Sequence, residues 1–328
     1  MKNKSVPFSA LVIGAGVSGL TTGIRLAENG HRVEIWTEED PQETTSATAA
    51  AFWEPYIVGP PDQVVRWGKV TFDQFARIAA ESGAKAGVAE RRLLSVFRNY
   101  PKTPEWSAVV PTLRRMTREE LEEAFEGDLP DEFLYGFSFR TWMVEMPKYL
   151  EYLRRTFEGY GNITLRKVGS VDEAFAGHDL VVNCSALGSR DIGGIKDKSV
   201  YAIAGQVVQI PRTIERTILL DAEGVTYIVP RGDNTILGGT AQENLYDRTP
   251  LTETTVDIVK RCGAFFPDVA KRDIQLVKVG LRPARPVVRL EAEDMPEAKR
   301  LIHNYGHGGA GVTLSWGCAD DVVALARD

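Results

Sequence analysis

The stretch Ser9–Gly30, SALVIGAGVSGLTTGIRLAENG, restricts the possible folds of this chain more than any other. Ala10–Ile13 is a short apolar run, typical of a strand that is buried on both faces. GAGVSG follows at once as a GxGxxG motif, and the apolar residues after it recur with helical spacing. In such a unit Gly14 permits a tight turn, Gly16 lets the backbone approach a pyrophosphate, and Gly19 lets helix and strand pack closely. The sequence therefore predicts a strand–loop–helix unit that binds a dinucleotide.

A correctly spaced acidic residue supports this prediction. The next predicted strand, Arg32–Trp36, runs into acidic residues, and Glu38 lies about 20 residues after Gly19, where a carboxylate can bind the hydroxyls of a ribose. The helix that begins after the glycines leaves unpaired N–H groups and a positive dipole end facing the phosphates. GxGxxG alone also occurs as a plain glycine turn, so the strand, the helix and Glu38 together decide in favour of a dinucleotide.

Size, charge and cysteine usage exclude several classes of protein. The chain has 328 residues, enough for one large or two medium domains, and its hydrophobic fraction of 43% is that of an ordinary globular protein. The net charge of −6 argues against nucleic acid and membrane as partners, and no apolar run approaches the ~18 residues of a membrane span. Two lysines lead directly into the nucleotide-binding strand, so no signal peptide is expected. Cys184, Cys262 and Cys318 are widely spaced, which indicates reduced, buried thiols in a cytoplasmic protein.

The middle of the chain is predicted to interrupt the nucleotide-binding sheet and then complete it. Residues 60–138 carry a core helix, a strand and polar loops, after which Asp179–Asn183 predicts another buried parallel strand. Residues 199–239 contain four short β-rich runs separated by Gly, Pro and Asp-Asn, which predict an antiparallel meander.

The last quarter of the chain combines a helix, a strand and a glycine-rich loop. Thr252–Phe266 is predicted to be helical. Its predicted buried face consists of Val256, Val259, Cys262 and Phe266. Leu301–Asn304 predicts a strand, followed by a four-glycine loop and an amphipathic helix. His303 and His307 form the closest histidine pair, but no third ligand lies nearby, so no metal site is predicted.

A cluster of hydroxyl-bearing and small residues, Thr44–Tyr56, follows the acidic end of the second strand. Small side chains let the backbone come close to a bulky ligand, and hydroxyls can donate to phosphate oxygens. Thr44 or Ser46 can equally cap a short helix. An NAD enzyme would continue from here into another βαβ unit, and this chain does not, which favours a flavin.

Two arginines lie beside prolines in VGLRPARP, Val279–Pro286. The prolines restrict the local geometry, and a pre-organised guanidinium can bind both oxygens of a carboxylate. Arg282 and Arg285 are therefore candidates for a carboxylate clamp, with plain surface charge as the alternative for each.

From end to end, the chain resembles the D-amino-acid oxidase family, which includes the D-aspartate oxidases. The motifs that carry the resemblance are Gly14–Leu20, Thr44–Tyr56, Val181–Gly188, Thr226–Pro230, Val279–Pro286 and Leu301–Ala319. The last of these, LIHNYGHGGAGVTLSWGCA, is the most specific. The resemblance implies an α/β fold with a Rossmann-like FAD-binding domain and a second, α+β substrate domain carrying a mostly antiparallel sheet. The FAD domain is expected to comprise residues 1–59, 140–198 and 281–328, and the substrate domain residues 60–139 and 199–280.

The resemblance also implies functions for individual residues. Arg282 is similar to the bidentate partner of the substrate carboxylate, Tyr227 to its phenolic donor, and the carbonyl of Gly309 to the acceptor of the substrate amine. The implied FAD contacts are Gly14, Ala15, Gly16, Val17, Ser18, Glu38, Glu39, Thr44, Thr45, Ser46, Ala51, Phe52, Val168, Gly308, Gly309, Gly311, Val312 and Thr313.

The implied reaction is the FAD-dependent oxidative deamination of a D-amino acid. A hydride passes from the substrate Cα to flavin N5, oxygen reoxidises the flavin to give hydrogen peroxide, and the imine hydrolyses to a 2-oxo acid and ammonia. A D-aspartate or glycine oxidase is the nearest alternative. A pyridine-nucleotide dehydrogenase would leave Leu301–Ala319 unexplained, and a non-catalytic flavin-binding protein would leave the pair Arg282 and Tyr227 unexplained. A homodimer remains open.

Two departures from the animal enzymes concern the substrate pocket. The segment LLDAEGVT before Tyr227 is shorter than their active-site lid and lacks its tyrosine, and Glu54 stands where they have glutamine. Phe52, Tyr56 and Tyr227 offer ring surface without positive charge, and the D-aspartate oxidases have a histidine in place of Tyr56. We therefore expect neutral, mainly apolar D-amino acids as substrates, and we expect Glu54 to repel an acidic one.

Overall fold

The computed structural model describes residues 8–56, 58–214 and 217–327. Its strands are β1 (Ser9–Ile13), β2 (Arg32–Thr37), β3 (Val88–Phe97), β4 (Arg114–Met116), β5 (Tyr135–Val144), β6 (Asn162–Leu165), β7 (Leu180–Asn183), β8 (Tyr201–Pro211), β9 (Thr217–Asp221), β10 (Tyr227–Pro230), β11 (Asn234–Gly238), β12 (Gln242–Glu243), β13 (Leu276–Met295) and β14 (Lys299–His307). Its α-helices are α1 (Val17–Glu28), α2 (Thr45–Thr48), α3 (Pro61–Glu81), α4 (Gly83–Ala86), α5 (Arg118–Ala124), α6 (Met146–Glu158), α7 (Val171–Ala174), α8 (Thr252–Gly263) and α9 (Gly311–Leu325). Short 3-10 helices cover Glu105–Val109, Ala186–Arg190, Pro267–Lys271, Pro296–Ala298 and Gly308–Ala310.

The predicted dinucleotide-binding unit is confirmed at the level of its secondary structure. β1 leads through the glycine loop into α1 and pairs in parallel with β2. β7 pairs with the other edge of β1, β14 pairs with β7, and β6 pairs with β2, all in parallel. The resulting order is β14-β7-β1-β2-β6. Residues 60–138 interrupt this sheet between β2 and β6, as predicted.

β13 joins the parallel and antiparallel parts into one sheet. Its first half, Leu276–Ala284, pairs with β8, and its second half pairs with β14, both antiparallel. Beyond β8 the order continues through β11, β10 and β9, all antiparallel. The predicted antiparallel strands are therefore present, but only β9, β10 and β11 form a meander, because β8 pairs with β11 instead of β9. The mixed α/β class is therefore confirmed. The expected domain boundaries at residues 139/140 and 280/281 fall inside β5 and β13, and the division into two domains stays a prediction.

α9 does not have the single buried face of the amphipathic helix that the sequence predicted. Ten of its residues are buried, and the helix packs against both α1 and α3. A Cβ on Gly317 would overlap the backbone of Trp67, so α3 approaches α9 at backbone distance. The Trp316 indole donates to the Tyr149 hydroxyl over 2.8 Å, which satisfies a buried polar group. The helix is thus covered on most sides. Its burial is therefore not confined to one apolar face.

The inward face of α8 also differs from the prediction. Cys262 is buried as expected, Val259 and Phe266 are partly buried, and Val256 is 62% exposed. Thr255 and Ile258 face the core instead. The Thr255 hydroxyl accepts a hydrogen bond from Gln206 Nε2 over 2.8 Å. Gln206 lies in β8, so this contact satisfies the hydroxyl of Thr255 inside the protein. Thr255 can therefore be buried on the inner face of α8, where Val256 was expected.

Candidate active site

The glycine loop adopts the geometry that its sequence predicted. Gly14 has a φ of +103°, a conformation that other residues rarely adopt. A Cβ on Gly14 would lie 2.7 Å from the Cys184 carbonyl oxygen, and a Cβ on Gly19 would overlap the Gly14 carbonyl. Both glycines are therefore required for the close approach of loop, helix and strand β7.

The loop opens into a cavity of about 660 Å³. The N-terminus of α1 faces this cavity, and its first turn carries no acidic side chain. The Ser46 hydroxyl accepts a hydrogen bond from the Val17 N–H over 3.1 Å, which draws the Thr44–Tyr56 segment against the helix start. A helix N-terminus without a local carboxylate favours an anion such as a phosphate.

Every residue that the sequence assigned to substrate or cofactor lines this one cavity. They are Gly14, Ala15, Gly16, Val17, Ser18, Glu38, Glu39, Thr44, Thr45, Ser46, Ala51, Phe52, Val168, Tyr227, Arg282, Gly308, Gly309, Gly311, Val312 and Thr313. They come from α1, α2, β10, β13, α9 and the 3-10 helix Gly308–Ala310, and from the loops that follow β1, β2, α2 and β6. Only the tertiary fold therefore brings them together. Their functions in binding remain predictions.

The cavity fits FAD in size and in the character of its walls. A volume of several hundred Å³ is typical of cofactor sites. Small residues from Thr44 to Ala51 form one wall, and the N-termini of α1 and α9 both open into the cavity. At the end near β2, Glu38 pairs with Lys167 over 2.6 Å and Glu39 with Arg248 over 3.0 Å. The sequence predicted that the Glu38 carboxylate binds a ribose, and in the structure both carboxylates form ion pairs at this end of the cavity.

Three glycines make room for the side chains at the other end of the cavity. A Cβ on Gly205 would lie 2.5 Å from the Arg282 guanidinium, and one on Gly238 would overlap the Tyr227 ring. A Cβ on Gly309 would lie 2.8 Å from the Tyr56 ring and 3.7 Å from Arg282 Cδ. Arg282, Tyr56 and Gly309 are therefore neighbours on one wall.

Arg282 and Tyr227 can both reach a ligand. Arg282 Nη1 donates to the Thr240 carbonyl over 2.9 Å, and no carboxylate of the described residues pairs with its guanidinium. Burial raises the pKa of the Tyr227 hydroxyl, although the neighbouring Arg282 opposes this. Tyr227 is thus a neutral phenol that can donate a hydrogen bond, beside a cation that has hydrogen-bonding capacity left for an anion.

The position of Arg285 distinguishes the two candidate arginines. Arg285 Nε pairs with Asp197 over 3.0 Å, and the same Asp197 oxygen accepts from the Tyr305 hydroxyl over 2.9 Å. Burial raises the pKa of Asp197, but hydrogen bonds from the Ser199 hydroxyl and N–H, and then from Tyr305 and Arg285, outweigh it and hold the pKa below its usual range. Arg285 belongs to this ion pair outside the cavity wall, whereas Arg282 lines the cavity.

Buried Arg231 supports the loop that carries Ala51 and Phe52. Its Nη2 donates to the carbonyls of Ala49 and Ala50 over 2.6 and 3.0 Å. Burial lowers the pKa of Arg231 to about 10, still well above neutral, so the side chain remains a cation. Sequence reasoning missed this residue, because its function depends on a contact between β10's end and a loop some 180 residues away in the chain.

Two further titratable groups line the cavity. Burial raises the pKa of Glu54 to about 8 and lowers that of His307 to about 4, so both are predominantly neutral at pH 7. His307 Nε2 lies 3.0 Å from Asn304 Oδ1. The expected repulsion of acidic substrates by Glu54 therefore does not operate fully at neutral pH, because the carboxyl holds its proton there.

Several other cavity residues were not found from the sequence. Arg190, Tyr246 and Arg248 line the cavity, and Arg190 lies over the Tyr246 ring at 5.6 Å. Tyr246 and Arg248 belong to NLYDRTP, a polar segment after β12 without regular structure. The only feature of the sequence that could have indicated them is the presence of an aromatic residue and a cation, Tyr246 and Arg248, in this polar loop.

The short turn in the position of the lid, Ala222–Thr226, is tied to β3. The Arg98 guanidinium binds both carboxylate oxygens of Asp221 at 3.0 and 3.1 Å. Glu223 accepts from Asn99 Nδ2 over 2.8 Å. Gly224 and Val225 from this turn line the cavity, so these contacts fix part of its rim.

A sequence model of the FAD dependent oxidoreductases matches residues 9–325. The chain belongs to this family. The oxidoreductase is 41% identical to the D-amino-acid oxidase of Rubrobacter xylanophilus over 97% of its own length and 95% of that protein. It is 34% identical to the D-aspartate oxidase of Homo sapiens, over 97% and 94% of the two chains.

Solved structures show the same fold. The glycine oxidase from Geobacillus kaustophilus superposes on 98% of this oxidoreductase and 95% of its own chain, with a TM-score of 0.80. Only 20% of the residues are identical, so this likeness concerns the architecture.

Other kinds of site are not found in the described part of the oxidoreductase. Its histidine, cysteine and acidic side chains form no group of three that could hold a metal ion. All three cysteines are buried and unpaired, as predicted. Among the helices that the structure describes, none combines the length and the apolar character needed to cross a membrane.

Proposed function

We propose that this oxidoreductase deaminates neutral, mainly apolar D-amino acids to 2-oxo acids, with release of ammonia and hydrogen peroxide. The observation that carries the proposal is the pair Arg282 and Tyr227, which lies in the cofactor cavity with no carboxylate partner for the arginine among the described residues. The D-amino-acid oxidase named above supports the substrate class.

Arg282 binds the substrate carboxylate through two parallel hydrogen bonds, and Tyr227 donates a further one. The Gly309 carbonyl accepts from the substrate amine. FAD, when bound, would supply the two-electron oxidation at the substrate Cα, with oxygen as the final electron acceptor. These three contacts, together with the cofactor on the remaining side of Cα, select one enantiomer of the amino acid. The protein thus contributes orientation, and no side chain is needed to remove the α-proton as a base.

The preference for apolar side chains follows from the walls of the cavity. Phe52, Tyr56 and Tyr227 line it, together with Leu220 and Val225. Burying an aliphatic side chain there contributes about 0.8 kcal/mol per methylene. These aromatic and aliphatic side chains offer no positive charge to the second carboxylate of D-aspartate, which disfavours that substrate. Glycine would leave the apolar wall unused.

The test uses the colour of the purified protein. Without oxygen, D-leucine should bleach the yellow flavin, and L-leucine should leave it unchanged. With oxygen, kcat/KM should be higher for D-valine and D-leucine than for D-aspartate at one pH. A higher value for D-aspartate, or no bleaching by any D-amino acid, would refute the proposed substrate class.

The electron acceptor, location and assembly are parts of the same proposal. Oxygen as acceptor requires one hydrogen peroxide per substrate consumed, which a peroxidase-coupled assay measures. A cytoplasmic location is consistent with the absence of disulfides among the described cysteines. Light scattering of the purified holoenzyme would establish whether it forms a homodimer.

A further inference from the structure

Glu54 lies on the apolar wall of the cavity between two aromatic side chains. Phe52, Glu54 and Tyr56 all line the cavity, whereas Trp53 between them is fully buried behind it. The side chains of Phe52, Glu54 and Tyr56 therefore face the cavity, and that of Trp53 points away from it. The Glu54 backbone is fixed by Thr313 of α9, whose hydroxyl donates to the Glu54 carbonyl over 3.0 Å.

This wall is continuous with the proposed anchor for the substrate carboxylate. Tyr56, two residues from Glu54, packs against Gly309, and Gly309 borders Arg282. A ligand held by Arg282 and Gly309 therefore extends along a surface whose neighbouring side chains are Tyr56 and Glu54.

The Glu54 carboxyl has no partner among the described residues. The other acidic groups of the cavity are all paired: Glu38 with Lys167, Glu39 with Arg248 and Asp191 with Lys198. Burial raises the pKa of the Glu54 carboxyl. An unpaired carboxyl on an apolar wall costs stability unless a ligand supplies the partner.

We propose that Glu54 is a specificity-determining residue that binds the side-chain cation of basic D-amino acids, of which D-lysine is the simplest. This extension of the substrate range rests on the proposed function. The methylene stem packs on the rings of Phe52 and Tyr56, and the terminal ammonium reaches the Glu54 carboxylate. On binding, the neutral Glu54 carboxyl loses its proton to solvent and the resulting carboxylate pairs with the ammonium.

The first experiment compares two substrates with the same carbon skeleton, D-lysine and D-norleucine. Glu54→Gln keeps the size and the hydrogen-bonding capacity of the side chain but removes its charge. We expect kcat/KM for D-lysine to fall at least about 10-fold in this variant, and that for D-norleucine to change by less than about threefold. Glu253→Gln, an exposed position on α8, is the matched control for loss of one negative charge.

Equal changes for both substrates would overturn the assignment. So would a variant whose flavin affinity changes while the ratio between the two substrates stays constant, because Glu54 would then serve the cofactor. Turnover of neither D-lysine nor D-norleucine by the wild type would refute the proposed function and, with it, this extension.

The second experiment measures binding without turnover. 6-Aminohexanoate is D-lysine without its α-amine, and hexanoate lacks both amines, so neither can be deaminated at Cα. Calorimetry on the holoenzyme should show 6-aminohexanoate binding at least about 10-fold more tightly than hexanoate, and this advantage should vanish in Glu54→Gln.

The heat measured in two buffers of different ionisation enthalpy should also reveal proton release with 6-aminohexanoate alone. If hexanoate binds and 6-aminohexanoate binds no more tightly, only the Glu54 assignment fails. If neither ligand binds, the carboxylate anchor and thus the proposed function fail as well.

Discussion

At the scale of single residues, Arg282 differs from its neighbour Arg285 by what each can still bind. Arg285 already pairs with Asp197, whereas Arg282 donates to one backbone carbonyl and faces the cavity. The prolines beside both arginines left the choice between them open, and the family resemblance favoured Arg282. The packing agrees with that prediction, because Arg282 lines the cavity and Arg285 does not, and Gly205 leaves space for the Arg282 guanidinium.

Arg282→Leu should raise KM for D-leucine by about two orders of magnitude while FAD stays bound. The substrate carboxylate would lose charge-assisted hydrogen bonds worth about 1.5–3 kcal/mol, and more where water is excluded. Steady-state kinetics and the flavin absorbance of the purified variant measure both effects. Arg285→Leu is the control, expected to lower stability by freeing Asp197 and to leave KM nearly unchanged. An unaltered KM in Arg282→Leu would contradict the assignment.

Glu54 should make the stability of the flavin-free protein depend on pH. Burial raises its pKa from 4.5 to about 8. Because the folded value is the higher one, the contribution of Glu54 to the free energy of unfolding is present in full below pH 4.5 and is lost as the pH rises towards 8. Glu54→Gln has no proton to lose, so it should gain stability relative to the wild type across this range. Urea unfolding measures the difference, and a pH-independent difference would show that Glu54 titrates normally.

At the scale of elements, the turn between β9 and β10 is a fixed rim rather than a long lid. Asp221 at the end of β9 is buried, and Arg98 at the end of β3 binds both of its oxygens. The sequence predicted that this turn is short. It did not predict the contact with Arg98, because the two residues are 123 positions apart in the chain.

Arg98→Met should lower the free energy of unfolding by about 1–3 kcal/mol, because it leaves the Asp221 carboxylate buried without its partner. Protease cleavage within 222–226 should become faster, since the turn then loses the ion pair that ties its first end to Arg98. The double variant Arg98→Met/Asp221→Asn should recover part of the loss. Equal stability of the wild type and the single variant would show that solvent replaces the guanidinium at no cost.

At the scale of the whole molecule, one sheet carries both ends of the active site. β13 pairs with β8 of the antiparallel part and with β14 of the parallel part, and Arg282 lies in the half that pairs with β8. The cofactor cavity is lined by residues of both parts. Occupation of this cavity therefore stabilises the two parts together.

Purified protein should carry FAD without a covalent bond. All three cysteine thiols are buried, and His307 is hydrogen-bonded to Asn304, so we expect none of these side chains to form a bond to the flavin. Acid or heat denaturation should release all flavin into the supernatant. The melting temperature of the apoprotein should rise with added FAD, as expected for a ligand that binds the folded state only. Flavin that remains with the precipitated chain would disprove non-covalent binding.

Local features of the fold and site could be predicted from the sequence. The GxGxxG unit, the parallel strand β7 and the antiparallel meander follow from short-range patterns of glycine and apolar residues, which constrain the backbone within a few positions. Motif resemblance gave a set of residues that all line one cavity. The sequence by itself thus determined the class of fold and a set of residues that line one cavity.

Only the tertiary structure decided which side chains are buried and which groups pair. It buried α9 on most sides, turned Thr255 rather than Val256 inward on α8, and tied Asp221 to Arg98. It also gave Glu54 a proton at neutral pH by surrounding its carboxyl with uncharged atoms. The reason is common to all four: burial and pairing depend on residues far apart in the chain, whose approach the local pattern does not encode.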